Sequence, residues 1–210
     1  MILAVRHGEA DGNRDRRFIG QLDVPLSALG RRQAELVGHR LAAMGVERIV
    51  ASDLQRAAGT AAPLARLTGI EVETFTELRE VHNGEWAGLL PTEIEAGWPE
   101  LFAAYRSGDD VARPGGERWA DVRARVVPVV EDLLAADRVT ALFSHGGPLL
   151  CLAAWATGSS HDGNVFSGPI SPPTNAGIMT ILSGPRLASY NDTGHLGEAL
   201  EDDGGLDFID

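Results

Sequence analysis

Three short stretches place arginine and histidine where the chain turns after an apolar run. Arg6-His7-Gly8-Glu9 follows Ile2-Leu3-Ala4-Val5. Ser52-Asp53-Leu54-Gln55-Arg56 follows Arg48–Ala51. Ser144-His145-Gly146-Gly147 follows Val139–Phe143. If the apolar runs are strands of one parallel sheet, all three turns lie on its carboxyl edge, where open α/β folds bind ligands. Two histidines and two arginines then meet at one place. Two of the turns also start helices, whose N-termini add backbone N–H groups and a positive dipole end. Arginine offers a planar fork that matches two oxygens of a phosphate. The combination is suited to a small dense anion, with phosphate the natural candidate.

The elements around these turns support that geometry. Short apolar runs alternate with amphipathic stretches, which predicts an α/β fold. Ser27 to Met44 reads as a helix with Leu29, Leu36, Val37, Leu41 and Met44 on one face and Gly45 as its stop. Ser52 with Gln55 three residues later has capping-box spacing for a helix to about Leu67. Val72 to Phe75 is a third strand. Residues 77–115 break the alternation with glycines, prolines and the aromatics Trp86, Trp98, Phe102 and Tyr105, and read as a lid-like insertion with a short helix. Glu117 to Ala136 is a long helix that Pro128 should kink. Gly146-Gly147-Pro148 opens another, and 176–182 and 186–190 read as final strands. The expected architecture is a three-layer α/β/α sandwich with a mostly parallel central sheet. It forms one domain over residues 1–197, followed by an acidic tail over 198–210.

Composition narrows the partners. The chain has 210 residues, 44% of them hydrophobic, and a net charge of −12. All eighteen basic residues are arginine. Nine arginines stand against seven acids in residues 1–60 (+2), and nine against twenty-three after that (−14). An acidic surface disfavours nucleic acid and anionic membranes as partners. Cys151 is the one cysteine, so neither a disulfide framework nor a cysteine zinc cluster is expected. The longest apolar run is far too short to span a bilayer, and the N-terminus lacks signal-peptide character. A cytoplasmic protein is expected.

The motifs are also recognisable as a set. Leu3 to Glu9, with Asn13, Arg17 and Gly20, resembles the opening motif of the histidine phosphatase superfamily, also called phosphoglycerate-mutase-like. The resemblance continues through Gly20-Gln21-Leu22-Asp23-Val24-Pro25-Leu26-Ser27, Ser52 to Ala57, and Leu78-Arg79-Glu80 with Gly84, Trp86 and Gly88. Pro114-Gly115-Gly116-Glu117, Ser144 to Gly147, and Asn191-Asp192 with His195-Leu196 complete it. The matches keep the family's order over roughly residues 2–197, which makes the set specific where Arg-His-Gly alone is weak.

The resemblance implies a phosphatase acting on a small phosphorylated metabolite. His7 would be the nucleophile, forming a phosphohistidine. Arg6, Arg56 and His145 would hold the nonbridging phosphoryl oxygens. Glu80 would protonate the leaving alcohol and then activate water. Asn13, Arg17, Gly20 and Gly146 would contact the substrate. No metal and no cofactor is implied, and a homodimer is possible. A cofactor-dependent phosphoglycerate mutase is one alternative. His82-Asn83-Gly84-Glu85-Trp86, without the mutases' Tyr-Gly pair, resembles the phosphatase branch instead. A non-catalytic phosphoester- or partner-binding protein is the other. Ala10 and Ile19 depart from the commonest family residues near the pocket mouth. His195 matches a family position without an assigned role. Arg106, Arg113 and Arg118 either bind a second acidic group on the substrate or only solvate the lid.

Overall fold

A computed structural model describes residues 1–11, 17–159 and 163–200. Six strands form one sheet: β1 (Ile2–Arg6), β2 (Arg48–Ser52), β3 (Val72–Phe75), β4 (Thr140–Ser144), β5 (Ile178–Leu182) and β6 (Arg186–Asp192). Their order is β3-β2-β4-β1-β5-β6. The first four run parallel, and β5 is antiparallel to both β1 and β6. The parallel strands form one contiguous block from the β3 edge to β1, and helices cover both faces of it, as buried parallel strands require. Alternate residues of β1 show this. Ile2 and Ala4 join one apolar cluster, with α5 (Trp119–Ala135) and α6 (Gly146–Thr157). Leu3 and Val5 join the other, with α1 (Ala28–Ala42) and α2 (Gln55–Thr68). The three-layer α/β/α architecture is the expected one.

Several details differ from the sequence reading. The buried face of α1 is Gly30, Gln33, Ala34, Val37, Gly38 and Leu41, while Leu29, Leu36 and Met44 are half-buried. Small residues face inward because α2 comes close: a Cβ on Gly38 would stand 3.0 Å from Cβ of Pro63. Ser52 does not cap α2. It ends β2, Leu54 is the N-cap, and the first helical N–H, that of Gln55, donates to the Asp23 carboxylate at 2.7 Å. A carboxylate from another loop thus supplies the anion that a helix N-terminus favours.

The insertion holds two helices, α3 (Pro91–Gly97) and α4 (Pro99–Arg106), each with proline at its first position. Phe18, Trp86, Ile94, Phe102 and Tyr105 form a small core of its own. Backbone bonds Phe18 N to Leu89 O (3.0 Å) and Gly88 N to Phe18 O (2.9 Å) tie it to the loop after β1. Residues 198–200, assigned by sequence to the tail, are in a packed turn: Ala199 is buried and its carbonyl accepts from Gln33. Residues 201–210 lie outside the described residues. Among the described residues no helix is long and apolar enough to cross a membrane.

Candidate active site

The carboxyl ends of β1, β2 and β4 carry the site. His7 directly follows β1, and its backbone N–H donates to Ser144 O at the end of β4 (2.9 Å). Its ring Nδ1 is 2.7 Å from the carbonyl of Gly8. A carbonyl can only accept, so Nδ1 carries the proton and Nε2 keeps its lone pair. Arg56 Nε donates to that Nε2 at 3.2 Å. Burial and then the charges of Arg56 and Arg6 hold the His7 pKa well below the usual imidazole range, against the opposing bond to Gly8. The ring is therefore held neutral and oriented, the state in which an imidazole can act as a nucleophile.

Arg56, in the first turn of α2, has all three guanidinium nitrogens engaged. Besides His7, they donate to Leu22 O (2.8 Å) and Gly20 O (2.7 Å). Thr60 links the two halves of the dyad: its Oγ1 accepts from Gly8 N and donates to Arg56 O. Burial pulls the Arg56 pKa to about 10, which leaves it charged at neutral pH. Asp53, a natural ion-pair partner for Arg56 by sequence, pairs with Arg79 instead.

His145 is the N-cap of α6, fully buried, with its ring 5.1 Å from that of His7. Its Nε2 is 2.9 Å from Ser52 Oγ. Leu54 N donates to that same Oγ (3.3 Å), which leaves the hydroxyl its hydrogen and one lone pair for Nε2. The remaining nitrogen, Nδ1, is buried and has no hydrogen-bond partner; in the tautomer where the hydroxyl donates to Nε2, it carries the proton. In that tautomer it is a donor for an anion. Burial, followed by the charge of Arg56, keeps this imidazole neutral as well.

Arg6 donates through Nη1 to Pro173 O at 2.7 Å. Asn175 Nδ2 holds the His7 carbonyl at 2.8 Å, and Ala176 N holds Arg6 O at 3.0 Å. His195 Nε2 meets Ala176 O at 3.1 Å, which gives this residue a supporting place behind the strand end.

Glu80 reaches the same edge from the root of the insertion. Its Oε1 accepts from Val81 N (2.9 Å) and its Oε2 from Gly147 N (3.2 Å). A Cβ on Gly146 would stand 3.8 Å from Arg6 Nε and 3.9 Å from Glu80 Oε2, so guanidinium and carboxylate flank the start of α6. A Cβ on Gly147 would collide with Glu80 Oε1 and the Trp119 ring, both at 2.5 Å. Only glycine lets the acid sit there.

The structure thus gathers His7, Arg6, Arg56, His145, Glu80 and Gly146. The Gly20 carbonyl anchors Arg56, and its φ of +53° suits glycine. Arg17 turns to the insertion, donating to Gly88 O (2.7 Å) and lying 3.5 Å from Glu93. Asn13 lies outside the described residues. Sequence reasoning missed three supports. Ser52 orients His145. Asn175 orients the His7 backbone. Arg125 on α5 binds the carbonyls of Arg79 (2.7 Å) and Glu80 (3.0 Å) and pairs with Glu117. The position of Ser52 at the carboxyl end of a strand was the one available signal.

Fold and site together define an α/β protein whose sheet edge holds a neutral, oriented imidazole among fixed guanidinium groups, with a glutamate side chain beside them. The profile of the histidine phosphatase superfamily (branch 1) matches residues 2–191, and the chain belongs to that family. It is 40% identical over 163 residues to a glucosyl-3-phosphoglycerate phosphatase of Mycobacterium tuberculosis, covering 73% of each chain. It is 31% identical over 206 residues to phosphoglycerate mutase-like protein 4 of Arabidopsis thaliana, covering 94% of this chain and 87% of the other. The solved complex of the mycobacterial glucosyl-3-phosphoglycerate phosphatase with inorganic phosphate superimposes with a TM-score of 0.78 at 33% identity, covering 92% and 98%.

Proposed function

We propose that this protein is a phosphomonoesterase that works through a phosphohistidine on His7, with no metal in the reaction. The observation that carries the reading is the orientation of His7: Nδ1 is tied to Gly8 O and Nε2 faces Arg56. In the first step the Nε2 lone pair attacks phosphorus and the P–O bond to the alcohol breaks. The Glu80 carboxyl gives its proton to the departing oxygen, because an alkoxide leaves poorly unprotonated. Arg6, Arg56 and the Nδ1–H of His145 stabilise the nonbridging oxygens as charge shifts onto them. In the second step Glu80, now a carboxylate, takes a proton from water. The water oxygen attacks phosphorus, the P–N bond breaks, and His7 is returned neutral with inorganic phosphate. Asn13, Arg17, Gly20 and Gly146 complete this reading as the residues around the bound phosphate.

The names of the relatives point to a phosphoglycerate derivative or a similarly small metabolite as substrate. On the resemblance alone, the reading extends to a cytoplasmic homodimer. The mutase reading differs in one respect: the phosphoryl group returns to substrate instead of water. Incubation with 3-phosphoglycerate, following released phosphate and 2-phosphoglycerate together, separates the two. We expect net phosphate release, from this ester or from an aryl phosphate. Sustained isomerisation without phosphate release would overturn the phosphatase assignment.

A further inference from the structure

Arg56 and Glu80 come from different parts of the chain, one from the first turn of α2 and the other from the root of the insertion. The tripeptide Gly20-Gln21-Leu22, in the loop between β1 and α1, bonds to both. Its two outer carbonyls accept from the Arg56 guanidinium, at 2.7 Å for Gly20 and 2.8 Å for Leu22. The side chain between them goes elsewhere: Gln21 Nε2 donates to Glu80 O at 2.9 Å. A carbonyl only accepts, so the amide nitrogen is the end that faces it.

The tripeptide is itself fixed on both sides. Leu22 N closes a turn on Ile19 O (3.0 Å), and the Asp23 carboxylate accepts from Gln55 N (2.7 Å) and Nε2 (3.1 Å) at the start of α2. A Cβ on Gly20 would stand 2.8 Å from Val81 O and 2.7 Å from Asn83 Nδ2, so the loop lies directly against the chain that follows Glu80. The Glu80 carbonyl also accepts from Arg125 Nη2, at 3.0 Å. The two donors connect the acid to different things. Arg125 also binds Arg79 O and pairs with Glu117, whose carboxylate accepts from His82 N, so it ties the acid to α5 and the insertion. Gln21 ties it to the loop that holds Arg56, and Arg56 Nε reaches His7 Nε2.

We propose that Gln21 is a positioning residue for Glu80: it fixes the peptide of the acid to the loop that holds Arg56, and so sets the acid at its working distance from the groups that hold the phosphoryl moiety. The inference rests on the phosphatase reading, in which Glu80 protonates the departing oxygen while Arg56 and His7 act on the phosphoryl side. An acid catalyst works only within hydrogen-bond reach of the oxygen it protonates, and a misplacement of about 1 Å can cost ~10²-fold. The separation of Glu80 from Arg56 must therefore be fixed, and Gln21 joins the two through one tripeptide. With Gln21 removed, Arg125 still satisfies the Glu80 carbonyl, so the acid is loosened and not left with an unpaired buried group.

The test compares kcat/KM for an alkyl ester, the better of 3-phosphoglycerate and glycerol 3-phosphate, with that for p-nitrophenyl phosphate. It uses the intact chain, Gln21→Leu, which keeps the volume and removes the donor, and Gln21→Glu, which turns an acceptor toward the carbonyl. The alkyl-to-aryl ratio does not depend on the fraction of folded enzyme, so a poorly folding variant still reports. We expect the ratio to fall about 10-fold in Gln21→Leu and at least as far in Gln21→Glu, through kcat of the alkyl ester. Competitive inhibition by inorganic phosphate should persist at the parent strength in Gln21→Leu, because Arg56 keeps both its carbonyls. In a Glu80→Ala background, Gln21→Leu should lower the ratio no further, since the residue acts through the acid. A ratio unchanged in either single variant, a further fall in the Glu80→Ala background, or phosphate inhibition that weakens in step with the lost turnover overturns the role of Gln21 while leaving the phosphatase standing. Absence of phosphate release from all three esters overturns the phosphatase reading and this one with it.

Discussion

At the sheet edge Arg56 uses all three of its guanidinium nitrogens on His7 and two backbone carbonyls. In the insertion Arg113 leaves its Nε unengaged and Trp86 its indole N–H, as does Trp119 at the start of α5 beside it, all of them buried. The edge is held by hydrogen bonds from strand ends and helix starts. The insertion is held by aromatic packing, with Phe18, Trp86, Phe102 and Tyr105 rings 5.6 to 6.3 Å apart. Such ring pairs fix shape without consuming donors. The contrast follows from what each region must do. Charge development on a phosphoryl group is the same for every ester, so the groups that meet it are preorganised and inflexible. The edge leaves a buried ring nitrogen open as well, His145 Nδ1, so the two regions differ in what holds them and not in whether polar atoms remain open.

The two regions should separate in kinetics. His7→Ala removes the proposed nucleophile and belongs wholly to the edge. We expect turnover of p-nitrophenyl phosphate to fall by about four orders of magnitude or more, whatever the alcohol. Activity within tenfold of the parent would remove His7 from the chemistry. Glu80→Ala acts at the boundary between the regions, so its effect should depend on the alcohol. An alkyl ester needs its leaving oxygen protonated and should lose about 10²- to 10⁴-fold, whereas an aryl ester should lose far less. Equal losses with both esters would mean that Glu80 only shapes the pocket.

The same contrast decides what could be read from sequence. The edge was legible because a buried parallel strand is a short apolar run and the residues just beyond it are forced onto one rim. His7, Arg56 and His145 could be placed by position alone. Ser52 was misread because a serine before a helix looks like its cap, and nothing local shows that Asp23, from a distant loop, supplies the acceptor instead. The insertion was less legible. Pro91 and Pro99 look like breaks in a single-sequence reading, yet each is the first residue of a helix, where its missing N–H costs little. The difference between buried Arg113 and its exposed neighbours Arg106 and Arg118 depends on where Tyr105 and Trp119 pack, and no periodicity carries that.

A smaller effect tests the edge without any substrate. His7 and His145 are both buried and neutral in the folded chain, with pKa values held well below 6.5, by burial first and then by Arg56. In the unfolded chain each titrates near the ordinary imidazole value. Below that value the unfolded chain binds two protons that the folded chain refuses, so stability must fall as pH falls from about 6.5 toward the depressed folded-state values. Each ring contributes a slope of up to about 1.4 kcal/mol per pH unit within that window. His195 adds in the same sense, since burial also lowers its pKa. The depressed carboxylates of Asp53 and Glu73, paired with Arg79 and Arg48, take over the loss only at more acid pH. Urea unfolding at pH 7.5, 6.5 and 5.5 should therefore show a midpoint that drops through the series. The double variant His7→Gln, His145→Gln should show a shallower drop, whatever its absolute midpoint. A parent midpoint independent of pH, or a double variant with the parent's slope, would mean that these rings titrate as they do in open chain. The Arg56-held, neutral nucleophile would then be wrong at its root.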